Sequence, residues 1–451
     1  MNENSKQDLF ETMPVPKAVA SLTVPTIIGS LVMIIYNLAD TYFVGGLNNP
    51  VQNAAVTLAA PVLLAFNAVN NLFGVGSSSM MSRALGTKEY DTVKQSSAFG
   101  FYCSAVSGIL FSIIYALFSK GFLKILGADS TTSHATSQYL FWTVTCGAAP
   151  AIINVVMGYL IRAEGAALHS SIGHISGCVL NIILDPIFIM PWGLNMGAAG
   201  AGCATFISNC FSCLYFFAYI YIKRGSTFIC INPVMARCGS KVIKGVCGVG
   251  IPAAIQNILN VTGMTILNNF TAAFGSVAVA AMGIANKLQL VPIYMAMGFS
   301  GGVMPLIGYN YSGGNIKRMK DSFDFAAKLE MAFLIVLMLV FVVFPKTLVG
   351  LFIQNEAVVE YGAAFVIALG LVLPFAGMDF LGVNVFQACG MGKTSLMFAI
   401  LRKLILEIPA LFILNRLFPL YGLPYAQLCS EVILAVTAVV CLKRIFKNAE
   451  E

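Results

Sequence analysis

The sequence predicts an all-α polytopic membrane protein: twelve transmembrane helices in two pseudo-symmetric six-helix lobes. Three observations carry this. The 451 residues are 58% hydrophobic and only 10% charged, whereas a soluble domain is roughly 25% charged, so the chain has too little polar surface to face water all round. Twelve apolar segments each approach or exceed the ~20 residues that a bilayer-spanning helix needs. Finally, the two halves of the chain resemble one another in sequence.

The segments fall at roughly 18–44, 53–81, 96–119, 135–161, 168–190, 197–222, 242–271, 276–308, 323–345, 358–389, 394–416 and 422–446. The longest polar connector, residues 223–241 (KRGSTFICINPVMARCGSK), follows the sixth. It divides the chain into an N-lobe (1–222), a linker (223–241) and a C-lobe (242–451). The polar N-terminus, MNENSKQDLFETMPVPK, lacks a basic region followed by an apolar one, so no cleaved signal peptide is expected. Basic residues settle on one side. With both termini in the cytoplasm, only Lys120, Lys124, Lys346 and Arg416 fall outside, whereas the inner loops and helix ends hold most of the 26 Lys and Arg, Arg162 among them. The formal charge of +7 therefore reads as topology, and no nucleic-acid partner is expected. The twelve cysteines lie mostly in apolar runs and read as small packing side chains.

Pro25 aligns with Pro252, and at the same offset Gly86 aligns with Gly313. At a second common offset RAEGAAL (162–168) lies over QACGMGK (387–393), and GAAGAGCAT (197–205) over GLPYAQLCS (422–430). An even number of spans per half makes the repeats parallel, related by an axis along the membrane normal. Two such lobes enclose a central cavity and suit alternating access.

Charges buried in hydrocarbon are costly and mark function. Asp40 in the first span and Asp185 in the fifth both sit roughly 7–9 Å below the outer edge, at 1.5 Å per residue. Two carboxylates at one depth can share a cation or a proton. Asn181 is one turn before Asp185, Tyr36 is one turn before Asp40, and Thr205 in the sixth span offers a hydroxyl. This oxygen set suits Na⁺ or a proton relay. A structural reading stands beside it: Asp185 caps backbone freed by Pro186, and Asp40 hydrogen-bonds to a neighbouring helix. Pro25 and Pro252 each remove a backbone hydrogen bond and mark candidate bend points, whether static or switching. In the second half Lys287 is a candidate cavity group and Asp379 a candidate second cation site. Glu407 is a candidate cavity group or an ion-pair partner of Arg402 and Lys403. Glu330 is expected to reach water by snorkelling, and Glu164 to be solvated. The 20 Met and 33 Phe, with Tyr, suggest an adaptable lining between the lobes.

Several stretches resemble the multidrug and toxic compound extrusion (MATE) family, over nearly the whole chain. They are VPTIIGSLVMIIYNLADTYFVG, NNLFGVGSSSMMSRALGTKEYDTVKQSS, YLIRAEGAALHSSIGHISGCVLNIILDPIFI, GAAGAGCATFIS, IPAAIQNILN and GVMPLIGYN. The chain is most similar to the DinF-like branch. The resemblance implies an efflux antiporter that exchanges organic cations and drugs for H⁺ or Na⁺, with no other cofactor. It implies a cation site at Asp40, Asn181, Asp185 and Thr205, with Tyr36 beside it and Pro25 as the bending proline. One departure is Met33, where the family can carry glutamine. A C-lobe site of the kind other branches use would draw on Gln256, Asn257 and Asn260 in the seventh span and on Asp379, which is one residue out of register.

Drug substrates and the bilayer are thus the expected partners of a chain acting as a monomer. The alternative is a flippase for lipid-linked precursors. Its pyrophosphate cavity should carry several buried cations, and only Lys287, Arg402 and Lys403 are placed for that. An enzyme is not expected.

Overall fold

The computed structural model describes residues 3–450 and, among them, contains helices and no strands. Of the polar N-terminal stretch, the first two residues lie outside this range. Twelve membrane-length helical segments follow one another: α1 (Val15–Gly46), α2 (Pro50–Gly86), α3 (Tyr90–Ile125), α4 (Ser133–Cys146, continuing as Ala148–Ala163), α5 (Ala167–Ile189), α6 (Ala198–Ile222), α7 (Ser240–Ala272), α8 (Ser276–Ser312), α9 (Ile316–Val343), α10 (Glu356–Ala388), α11 (Gly392–Ile400 and Ile408–Leu417) and α12 (Leu423–Glu450). Among the described residues ten are long and apolar enough to cross a membrane outright, and α4 makes an eleventh across a 51° bend. The apolarity of α11 is broken by Arg402, Lys403 and Glu407, which fall in the π-helical stretch Leu401–Glu407 that joins its two parts.

Helix starts follow local chemistry. Asn49 accepts from the Val51 N–H at 3.0 Å with Pro50 next in line, and Asn355 accepts from the Val358 N–H at 3.2 Å. The helices run on through Pro25 and Pro252, as neighbouring helices permit inside a membrane.

The halves meet along two related seams, α1 against α8 and α2 against α7. Glycine makes the first possible. A Cβ on Gly302 would sit 2.6 Å from Thr26 Oγ1 and 2.9 Å from the Leu22 carbonyl oxygen. Close approach there lets Thr26 Oγ1 donate to the Gly298 carbonyl at 2.7 Å. Small residues thus do what a hydrophobic drive cannot do between helices already solvated by lipid.

At the end where the basic loops lie, further bonds close the seam. Ser312 Oγ donates to the Arg83 carbonyl at 2.7 Å, and Ser79 Oγ donates to the Gln387 carbonyl. The N-terminal helix Glu3–Glu11 lies across this end. Tyr309 Oη donates to Glu11 Oε1 at 2.6 Å, and Arg318 donates to the Phe10 and Met13 carbonyls at 2.6 Å each. Phe10 stacks on Tyr309, while Gln7 Nε2 donates to Tyr90 Oη of the other half. Among the described residues, Thr26 to Gly298 is the hydrogen bond between the halves that lies farthest from this basic end.

Two expectations are corrected here. Glu164 is fully buried, accepting from Tyr219 Oη (2.8 Å), Thr227 Oγ1 (2.9 Å) and the Phe228 N–H (2.8 Å). It anchors the connector after α6 to the end of α4, so the polar stretch folds back on the helices and shields it. Glu330 is likewise buried, with Ser300 Oγ donating to its Oε1 at 3.3 Å. It faces α8 and not water.

Candidate functional site

Between the halves lies a cavity of about 390 Å³. Its wall is drawn from α1, α2, α4 to α8 and α10. Carboxamides dominate it: Asn71, Asn154, Asn181, Asn209, Gln256, Asn257, Asn260, Asn384 and Gln387. Hydroxyls of Thr26, Ser30, Ser171, Thr205, Ser208 and Ser212 add to these. The expected Met and aromatic lining is reduced to Met33, Met297, Met304, Phe380 and three tyrosines, because most of the apolar side chains cover the lipid face or fill the helix contacts. Arg162 is the sole Lys, Arg, Asp or Glu among the lining residues.

Off one side of this cavity, in the first half, the structure brings together the residues singled out around Asp40. Asp185 and Asn181 are buried on α5. With the Asn181 amide turned so that its nitrogen faces Asp185, it donates to Asp185 Oδ2 at 2.9 Å and its oxygen accepts from the Thr205 N–H at 3.1 Å. The same amide lies 3.4 Å from the Thr205 hydroxyl. Asp40 is half-buried on α1 and interacts coulombically with Asp185. Its Oδ1 is shielded from solvent without a hydrogen-bond donor. Tyr36 lines the cavity and feels both carboxylates. Tyr139, buried on α4, stands within electrostatic range of the same three groups. Sequence reasoning missed it, since nothing in its local pattern points across to α1 and α5. Neither structural alternative for these aspartates is drawn in this way: Asp185 takes a side-chain amide, and Asp40 keeps an unmet acceptor. Oxygen-only groups of this kind, with one buried oxygen lacking a donor, fit a hard monovalent cation or a proton. Asn181, Thr205 and Tyr36 belong to both the cage and the cavity wall, while the carboxylates stand behind it.

In the second half the candidate cation site at Asp379 and the cavity role of Lys287 are corrected, while Glu407 takes its ion-pair alternative. Asp379 is buried but bonded to Arg402, whose Nη2 also donates to Glu431 Oε2 at 3.3 Å while its Nε lies 3.1 Å from Glu431 Oε1. The guanidinium rests over Phe380, 4.9 Å from the ring centroid. Glu407 pairs with Lys403 at 2.7 Å. Neither carboxylate reaches the cavity, because α11 supplies its own cations through the π turn. Lys287 is exposed on α8 and also absent from the wall. Gln256 and Asn260 do line it. The GFSGG run, Gly298–Gly302, has G-x-S-x-G spacing but lies inside α8 with Ser300 bonded to Glu330, not on the strand-to-helix elbow of a hydrolase. All twelve cysteines are free thiols, including the C-x-x-C pair Cys210 and Cys213 on α6.

Comparison with known proteins follows this architecture. The MatE family model matches twice, over residues 25–187 and 252–413, starting at the two prolines that the internal repeat aligns. The chain is 35% identical to the multidrug export protein MepA of Staphylococcus aureus (strain MRSA252), covering 95% of this chain and 94% of that one. It is 34% identical to MepA of Staphylococcus haemolyticus at the same coverage. A solved structure described as the outward-facing conformation of a multidrug resistance MATE family transporter superposes with a TM-score of 0.92 over 98% of both chains, at 23% identity.

Proposed function

The chain belongs to the MATE family, and from that premise we propose that it is a multidrug efflux antiporter of the cell membrane. It exports organic cations and amphipathic drugs in exchange for H⁺ or Na⁺ by alternating access, working as a monomer. The observation that carries the reading is the shared wall. Asn181, Thr205 and Tyr36 stand between the cavity and the Asp40–Asp185 pair, so occupancy of one compartment alters the other. An entering H⁺ or Na⁺ neutralises carboxylate charge in the cage and reorients the Asn181 amide. The wall that held the drug then changes its donors and acceptors, and drug and ion compete.

The positive-inside bias supports placing the basic end in the cytoplasm. The bonded seam then closes the inner side, and the cavity serves the outside. A flippase for a lipid pyrophosphate would need several cations around the cavity, whereas Arg162 is the only one on its wall. The test is efflux of a cationic dye from vesicles under an imposed pH gradient or an imposed Na⁺ gradient, applied separately. One gradient should drive dye movement. If neither does, the antiport reading fails.

A further inference from the structure

Arg162 occupies the last turn of α4 and lines the central cavity. Among the described residues it has no salt bridge and donates no hydrogen bond, and its Nε is shielded from solvent without a partner. What the guanidinium does meet is an aromatic face, lying 5.4 Å from the centroid of the Tyr159 ring. Such a contact gives the guanidinium no hydrogen-bond acceptor and leaves part of its desolvation uncompensated. The surrounding wall cannot supply the balance. Its other polar groups are amides, hydroxyls and the His174 imidazole, none of which offers a negative charge, and Asp40 and Asp185 are not on it. At the equivalent point of the second repeat stands Gln387, also on the wall but uncharged. Across the seam is Gly301, where a Cβ would come within 3.3 Å of Arg162 Nη1. The absent side chain keeps space in front of the guanidinium.

We propose that Arg162 is an acid-binding subsite for the exported molecule: a planar fork that takes a carboxylate on an otherwise amphipathic, aromatic substrate. Guanidinium and carboxylate match in geometry, and the pair strengthens where water is scarce. The carboxamides around it hold the rest of the molecule without a charge requirement. The substrate range therefore extends to compounds bearing an acid group, and such compounds are preferred over their esters. This rests on the export reading above.

The probe is a matched pair: a rhodamine with a free benzoic acid and its methyl ester, which share one ring system. Binding to the purified protein in detergent is read by fluorescence anisotropy. The wild type should bind the acid about tenfold more tightly than the ester, equivalent to ~1.4 kcal/mol. In Arg162→Met that ratio should fall to about one, and Arg162→Lys should keep part of it. A wild-type ratio near one, or the same ratio in Arg162→Met, overturns the proposal. Should Arg162→Met fail to fold, competition on the wild type decides. Naphthoate displacing the dye better than naphthylmethylammonium supports the subsite, and the reverse order or a tie removes it. Export of the ester dye from cells is scored separately, so failure of the efflux reading is distinguishable from failure of the subsite.

Discussion

Asp40 carries the sharpest expectation at the scale of single residues. Its buried Oδ1 has no donor, while Asp185 already takes the Asn181 amide. On the proposed antiport the two carboxylates are therefore unequal partners of an incoming H⁺ or Na⁺. Asp40→Asn and Asp185→Asn should each abolish cationic dye export while the protein reaches the membrane at wild-type level, checked by immunoblot of membranes. Retained export in both variants would remove the cage from the mechanism. Asn181→Leu should keep both carboxylates but cut the link to the wall, so the concentration of coupling ion needed for half-maximal dye release should rise. Glu164 makes a contrasting case. It accepts from Thr227 and the Phe228 N–H of the connector and from Tyr219 of α6, and none of these partners lines the cavity. Glu164→Leu leaves Tyr219, Thr227 and the Phe228 N–H without their acceptor, at about 1–3 kcal/mol for a buried group left unsatisfied. Thermal unfolding in detergent should shift down by several degrees. The aspartates were legible from sequence because charge in an apolar run is conspicuous. Glu164 was not, because its partners come from the connector, whose return path no local pattern encodes.

Among the helices, α11 departs furthest from a plain span. Its π turn carries Arg402, Lys403 and Glu407; Arg402 pairs with Asp379 of α10 and Glu431 of α12 in a buried ionic cluster, and Lys403 pairs with Glu407 along the turn. Hydropathy alone leaves this helix out of the count of spans, whereas the repeat requires it. The sequence reading counted it among the twelve apolar segments, at 394–416, and offered Glu407 as an ion-pair partner of Arg402 and Lys403, but could not foresee Arg402 meeting Asp379 and Glu431. That Arg402 meets Asp379 and not solvent depends on how α10, α11 and α12 pack, which a single helix's periodicity does not record. Removing one partner from a buried ion cluster leaves an uncompensated charge and costs about 3–5 kcal/mol, whereas neutralising the set together is tolerated far better. Arg402→Met should therefore lower the unfolding temperature strongly, and the triple variant Arg402→Met, Asp379→Asn, Glu431→Gln should recover most of the loss. If the triple variant is as unstable as the single one, the cluster is not a closed electrostatic unit.

The largest scale is the closure of one end by parts from both halves. The repeat and the basic loops predicted two lobes, and the glycine-lined seam of α1 and α8 explains how they approach. What the sequence could not reveal is the role of the first dozen residues, since a short polar helix carries no span signal. In the structure Glu3–Glu11 is tied to α8 through Tyr309 and to α9 through Arg318, while Gln7 reaches Tyr90 and Glu11 lies 3.7 Å from Lys88 on the other half. Opening the basic end requires these bonds to break together with those of Ser79 and Ser312. Arg318 holds three carbonyls at the end of this helix, those of Leu9 and Phe10 within it and of Met13 just beyond, so its loss weakens the closed state most directly. Cys389, buried beside this seam at the end of α10, is a native reporter. In vesicles with the basic end outward, Arg318→Ala should raise maleimide modification of Cys389, located by mass spectrometry, by about tenfold, the shift that ~1.4 kcal/mol produces. Unchanged Cys389 labelling with normal protein levels would show that the N-terminal helix rides on the closed end without holding it shut.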